Sequence, residues 1–101
     1  MQTKSRVRTG GPLFPLGRTL ATPGALQTLL HAGIDGRALL TRHVNGDWGD
    51  VDAEDWRAND RAILDDTRVF SAYNLADTGE RVWIITEADR SATTIMRPDE
   101  Y

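Results

Sequence analysis

Between Asp66 and Thr67 the apolar residues change from helical to alternating spacing, and this switch limits the possible folds more than any other feature of the chain. Upstream, Thr22 and Pro23 supply an N-cap and a proline at the first helical position. Leu26, Leu29 and Leu30 follow at helical spacing, and Gly33 marks a stop. Asp35 caps a second short helix, "GRALLTRHV", with Leu39, Leu40 and Val44 on one face and Gly46 ending it. Asp52 caps a third over about 53–65, where Glu54 and Asp55 lie in the first turn and favour the positive end of the helix dipole. Its expected inward face is Trp56, Asn59 or Asp60, and Ile63, a stripe interrupted by a polar residue.

Downstream, "TRVFSAYNL" (67–75) and "RVWIITE" (81–87) are rich in β-branched and aromatic residues and flank the glycine-containing "ADTGE", which is a hairpin signal. "EADR" makes a second turn, and "SATTIM" (91–96) a third strand before Pro98. The expected fold is α+β, with two or three short N-terminal helices followed by a three-stranded antiparallel β-meander. "PLFPLGRTLA" (12–21) is apolar but broken by Pro12, Pro15 and Gly17, and suits an extended edge segment. Residues 1–11 mix basic and small polar residues with no apolar period and read as a flexible basic tail. One α+β domain over 12–101 results, since 101 residues hold one modest core.

The chain has no cysteine, which excludes disulfides, thiolate nucleophiles and cysteine metal sites. It has no span apolar enough for a membrane, and its basic start lacks the apolar stretch of a signal peptide, so the expected location is cytoplasmic.

The net charge of −3 conceals an uneven distribution. Residues 45–66 carry eight acids against Arg57 and Arg61, whereas residues 1–44 carry six basic groups and one acid. The acidic block opens on "NGDWGDVDAEDW". As a calcium loop it fails: counted from Asp50, the sixth position is Asp55 and the twelfth Arg61, where glycine and glutamate are needed. His31 and His43 are too few for a zinc site without cysteines, and each lies near a helix end, where it can face the dipole. No serine sits in a nucleophile-elbow turn, and "TGGPLFPLGR" has no phosphate-loop pattern. No metal, cofactor or catalytic group is therefore expected.

What remains is a surface. Asp47, Trp48, Asp50, Asp52, Glu54, Asp55, Asp65 and Asp66, with Asp60, spread along one loop–helix edge that can occupy a basic groove on a partner. The blander reading is that these acids only cap a helix and confer solubility. Trp48 is either a plug under the loop or an exposed binding anchor, while Trp56 and Trp83 read as core. Direct nucleic-acid binding by the folded body is disfavoured, because an acidic body repels a polyanion. A second site is conceivable between the third helix and the sheet, built from Asn59, Asp60, Tyr73, Thr86 and Glu87, where paired carboxylates perform acid–base work.

"LFPLGRTLATPGAL", "LLTRHVNGDWGDVDAEDWRANDRAI", "SAYNL" and "RVWIITEADRSATTIMRPDEY" together resemble a family of small proteins. Its members come from bacterial plasmids, phages and integrative elements and are often labelled hypothetical or related to type I restriction-modification. The resemblance covers about residues 12–101, with "HVNGDWGD" and "WIITEADRS" its most specific parts. It implies a mobile-DNA setting, in which small acidic proteins antagonise restriction or CRISPR enzymes. A methyltransferase is excluded, since neither the glycine-rich cofactor loop nor the catalytic Asn/Asp-Pro-Pro-aromatic motif is present. The leading expectation is a non-enzymatic protein that binds a protein partner, such as a nucleic-acid-handling enzyme, through the acidic edge. The alternative is a small enzyme or ligand-binding domain using the helix–sheet residues. The oligomeric state is left open.

Overall fold

The computed structural model describes residues 12–75 and 78–101; the expected N-terminal tail lies outside them. The order is β1 (Arg18–Ala21), α1 (Pro23–Ala32), α2 (Gly36–Val44), α3 (Ala53–Asp65), β2 (Val69–Leu75), β3 (Glu80–Thr86), β4 (Ala92–Met96) and a 3₁₀ turn (Pro98–Glu100). The α+β class and the three helices match expectation; the sheet does not. It has four strands in the order β1-β4-β3-β2, and β1 runs parallel to β4 while the other pairs are antiparallel. The proline-broken edge segment thus supplies a fourth strand, and the three-stranded meander is corrected to a mixed sheet. Its pairing is with residues more than seventy positions away (Arg18 with Ala92), which no local pattern encodes.

The helix ends follow their caps. Thr22 accepts from the Ala25 N–H at 3.1 Å, Asp35 from the Arg37 N–H at 2.9 Å, and Asp52 from the Asp55 N–H at 2.8 Å. Gly33 closes α1 in the left-handed conformation at φ 70°, which costs a residue without Cβ nothing. The second helix ends one turn position before Gly46, with Asn45 as its C-cap.

The helices cover one face of the sheet. Val69, Ser71, Tyr73 and Leu75 of β2, Val82, Ile84 and Thr86 of β3, and Thr93 and Ile95 of β4 alternate onto that face, and all are buried. Ala25, Leu29 and Leu39 pack against them to form the main core, and Phe14, Trp48, Ala62 and Val69 form a second cluster below it. Two helix faces are rotated from expectation. In α1 the inward residues are Ala25, Thr28 and Leu29, leaving Leu26 56% and Leu30 83% exposed. In α3 they are Asn59 and Ala62, and Trp56 lies outside at 37% exposure. An alanine stands in each interface, Ala25 in α1 and Ala62 in α3, where the helix lies against the core. Among the described residues no helix is long and apolar enough to cross a membrane.

Candidate functional site

The acidic loop first of all closes the sheet. Alternation along β2 turns the backbone groups of Phe70, Ala72 and Asn74 away from β3, toward the outer edge. Gly49 forms a parallel bridge with Ala72. The Asp50 N–H donates to the Ala72 carbonyl at 2.6 Å, and the Ala72 N–H donates to the Trp48 carbonyl at 3.2 Å. Asn74 donates its N–H to Asp50 Oδ2 at 2.8 Å. Midway along α3, Asn59 accepts from the Phe70 N–H at 3.0 Å and donates to its carbonyl at 2.5 Å. An edge strand that would template pairing with other chains is thereby closed over Phe70, Ala72 and the Asn74 N–H.

The rest of the loop is equally engaged. The Asp47 carboxylate accepts from Arg42 Nε at 2.7 Å and from the Gly49 N–H at 3.2 Å, and its backbone carbonyl accepts from the Tyr73 hydroxyl at 2.7 Å. Trp48 is fully buried, 6.2 Å from the Phe14 ring and 5.9 Å from His43, and donates its indole N–H to Asp60 Oδ1 at 3.1 Å. It is the plug, and its place in the binding edge is corrected accordingly: no partner reaches it.

Beneath Trp48 lies a buried polar chain that the sequence reading did not assemble. His43, with no exposed surface, contacts Ser71 Oγ through Nδ1 at 2.6 Å and Thr86 Oγ1 through Nε2 at 2.9 Å. Thr86 in turn contacts Thr93 at 2.7 Å, and the Thr93 hydroxyl donates to the Leu16 carbonyl at 2.8 Å. The carbonyl can only accept, so each proton upstream is directed toward it: Thr86 donates to Thr93, Nε2–H donates to Thr86, and Nδ1 accepts from Ser71. Burial, with Arg90 nearby, lowers the His43 pKa to about 4 and keeps the ring neutral. Ser71 and His43 thus have the spacing of a nucleophile and its base, but Phe14 and Trp48 close over the ring and Ser71 is itself fully buried. The chain fixes the core. The sequence held one signal for it: His43 stands four residues after the buried Leu39 on α2, on the inward stripe.

The five residues of the alternative cleft do not converge. Asn59 is spent on Phe70, Tyr73 on Asp47 and Thr86 on the histidine chain, whereas Asp60 holds Trp48 and Glu87 is exposed beyond the end of β3. The space between α3 and the covered face of the sheet is filled by side chains with fixed partners, and among the described residues only Asn59 of the five lines a hollow, beside Asp55, Ala58, Phe70 and Trp83. Burial also pushes the Tyr73 phenol up to about 12. Among the described residues no group of three or more metal-ligating side chains comes together.

The concavity is on the other face of the sheet. Two adjoining hollows of about 500 and 450 Å³ share Asp55, Phe70 and Trp83. The Phe70 and Trp83 rings meet edge to face at 5.0 Å, and Tyr101 meets Trp83 at 5.7 Å. Asp50, Asp52 and Asp55 line one end of this groove, with Arg81 across from them; Arg68 lines the other end and donates to the Tyr101 hydroxyl at 2.8 Å. At about 100° per residue, Glu54 and Asp65 fall within about 40° of Ala58, a groove-lining residue of α3, while Asp60 falls on the opposite flank. Three of the acids, Asp50, Asp52 and Asp55, therefore line the groove; Glu54 and Asp65 lie on the same side of α3 without lining it, and Asp47, Asp60 and Asp66 lie elsewhere. Trp83 carries an enclosed indole N–H with no acceptor among the described residues, which is uncommon for a buried donor.

Comparison with protein-family models, with curated proteins and with solved structures yields no match to this chain, so the reading of the site rests on its geometry.

Proposed function

We propose that this chain is a non-enzymatic binding protein that engages a protein partner through the acid-rimmed aromatic groove between the 50–55 segment and the open face of the sheet. The observation that carries the reading is the convergence of Asp50, Asp52 and Asp55 on a groove floored by Phe70 and Trp83. Carboxylates beside aromatic faces suit a cationic side chain, which gains from both the charges and the ring quadrupoles. The resemblance to proteins of mobile DNA suggests the class of partner. It would be a nucleic-acid-handling defence enzyme of the restriction or CRISPR kind, whose basic surface the acidic rim would occupy.

The test must separate charge from capping, since Asp50 and Asp52 each hold a backbone N–H. Asp50→Asn and Asp52→Asn keep an acceptor oxygen and remove the charge; Asp55→Asn removes the charge of a side chain that holds no backbone group and keeps a residue suited to the first turn of α3. Capture from the source cells with the wild-type chain and with the triple variant, each checked for an unchanged unfolding midpoint, should recover a partner only with the wild type. Equal recovery by both would overturn the reading.

A further inference from the structure

The two edges of the sheet are treated differently. The β2 edge is closed by the 48–50 segment and Asn59, as described above, whereas β1 stands at the other end with no strand beside it among the described residues. The direction of its backbone groups follows from the pairing. Arg18 donates its N–H to the Ser91 carbonyl and Thr22 donates to the Ile95 carbonyl, both at 3.0 Å. Alternation turns the N–H and C=O of Thr19 and Ala21 the opposite way, outward. Beside that edge Leu20 is 41% and Leu26 56% exposed, and they border a hollow of about 220 Å³ that also touches Leu29, Leu40 and Ile95. An open strand edge next to exposed leucines is a surface for strand addition.

We propose that the β1 edge pairs with the β1 edge of a second copy of this chain, antiparallel and centred on Leu20, to give a continuous eight-stranded sheet. The register follows from which groups face outward. Setting Leu20 opposite Leu20 of the other copy places Thr19 opposite Ala21, the two residues whose backbone groups point out, so each facing pair exchanges two hydrogen bonds. The same register sets Arg18 opposite Thr22. The Thr22 hydroxyl donates to Glu100 Oε1 at 2.6 Å, and Arg97 donates its N–H to the same oxygen at 2.8 Å, so a fixed carboxylate sits where Arg18 arrives. Arg18, Leu20 and Thr22 share the open face by alternation. Two symmetry-related Arg18–Glu100 pairs therefore flank a central leucine contact, an arrangement that is complementary to itself under a two-fold axis. No other register unites the outward backbone pairs with the opposite charges.

The chain's lack of cysteine gives a direct test. Residues opposite each other in a non-hydrogen-bonded antiparallel pair have Cα atoms about 4.5 Å apart, within disulfide range. Leu20→Cys should give a disulfide-linked dimer under mild oxidation, far faster than Leu64→Cys, a control on α3 whose leucine is 84% exposed. Sedimentation of the full chain at about 100 μM, where weak contacts are populated, should show twice the chain mass. Arg18→Glu and Glu100→Arg should each abolish it, and the double swap should restore it. A monomer at that concentration, with Leu20→Cys crosslinking no faster than Leu64→Cys, would overturn the proposal. So would dimer formation only after deletion of residues 2–11, since the edge would then be covered by the chain itself.

Discussion

His43 illustrates how one side chain can tie stability to pH without taking part in chemistry. In the unfolded chain its imidazole titrates near 6.5, and in the folded core the pKa is lowered to about 4 by burial and by Arg90, the charged group that acts on it. Between those values the unfolded chain binds a proton that the folded chain refuses, so stability rises with pH there. It is fully present above about 6.5, falls by up to about 1.4 kcal/mol per unit as the solution is acidified, and levels off below about 4, a loss of about 3 kcal/mol in all. Urea unfolding at pH 7, 5.5 and 4.5 measures this. In His43→Gln that part of the slope should vanish, and a wild-type slope equal to that of the variant would refute the assignment. Trp48 is the neighbouring case. Trp48→Ala should cost about 3–5 kcal/mol through the cavity and should also release Asp60. The sequence left Trp48 divided between plug and anchor because a tryptophan between Gly/Asp pairs looks the same in either role; only the presence of Phe14 and His43 beside it decides.

Elements were legible where their determinants are local. Thr22, Asp35 and Asp52 each cap the helix that begins at the next residue, because a cap bond spans only two or three positions. Their inward faces were less so: Leu26 and Leu30 invited a leucine stripe, yet Ala25, Thr28 and Leu29 face the sheet, a stripe in which only one of the three leucines takes part. The segment from Asp47 to Asp52, which in the sequence offers charge, the Asp52 cap and an ambiguous Trp48, also closes the β2 edge. That role yields a sharp prediction at Gly49, whose φ of 78° and approach to β2 leave no room for a side chain: an added Cβ would lie 2.2 Å from the Ala72 carbonyl oxygen. Gly49→Ala should lift the loop from the strand, raising amide exchange at Ala72 and Asn74 and destabilising the fold by about 1–3 kcal/mol or more from backbone strain. Asn59→Ala should have a related effect one residue pair away. It leaves the Phe70 N–H and carbonyl without partners, at about 1–3 kcal/mol for each group left buried. If exchange at Ala72 is unchanged in Gly49→Ala, the bridge does not hold the edge.

For the molecule as a whole, the acids divide into those that hold the fold and those that do not. Asp47, Asp50, Asp52 and Asp60 each accept a hydrogen bond that fixes a turn, a strand edge, a helix start or the plug. Glu54, Asp55 and Asp65 lie on the groove side of α3, and no hydrogen bond to their side chains is made by the described residues. Capping thus accounts for part of the acidic block, and from the remainder Asp55 lines the aromatic groove on the uncovered face of the sheet. The strand order puts this groove at the β2–β3 end of the sheet and the open β1 edge at the other, so pairing through β1 would leave both grooves of a dimer accessible. If the surplus acids steer a basic partner, the effect belongs to the encounter and must weaken as salt shortens the screening length from about 10 Å at 0.1 M to about 3 Å at 1 M. The association rate measured against the captured partner should therefore fall steeply with ionic strength for the wild type. A Glu54→Gln, Asp55→Asn, Asp65→Asn variant should begin slower and show a shallower salt dependence, with a stability loss of about 0.3–1 kcal/mol for each of the two first-turn acids, whose interaction with the positive end of α3 is removed. Equal salt slopes for the two proteins would assign these acids to solubility alone and leave the groove's aromatic floor to carry any recognition.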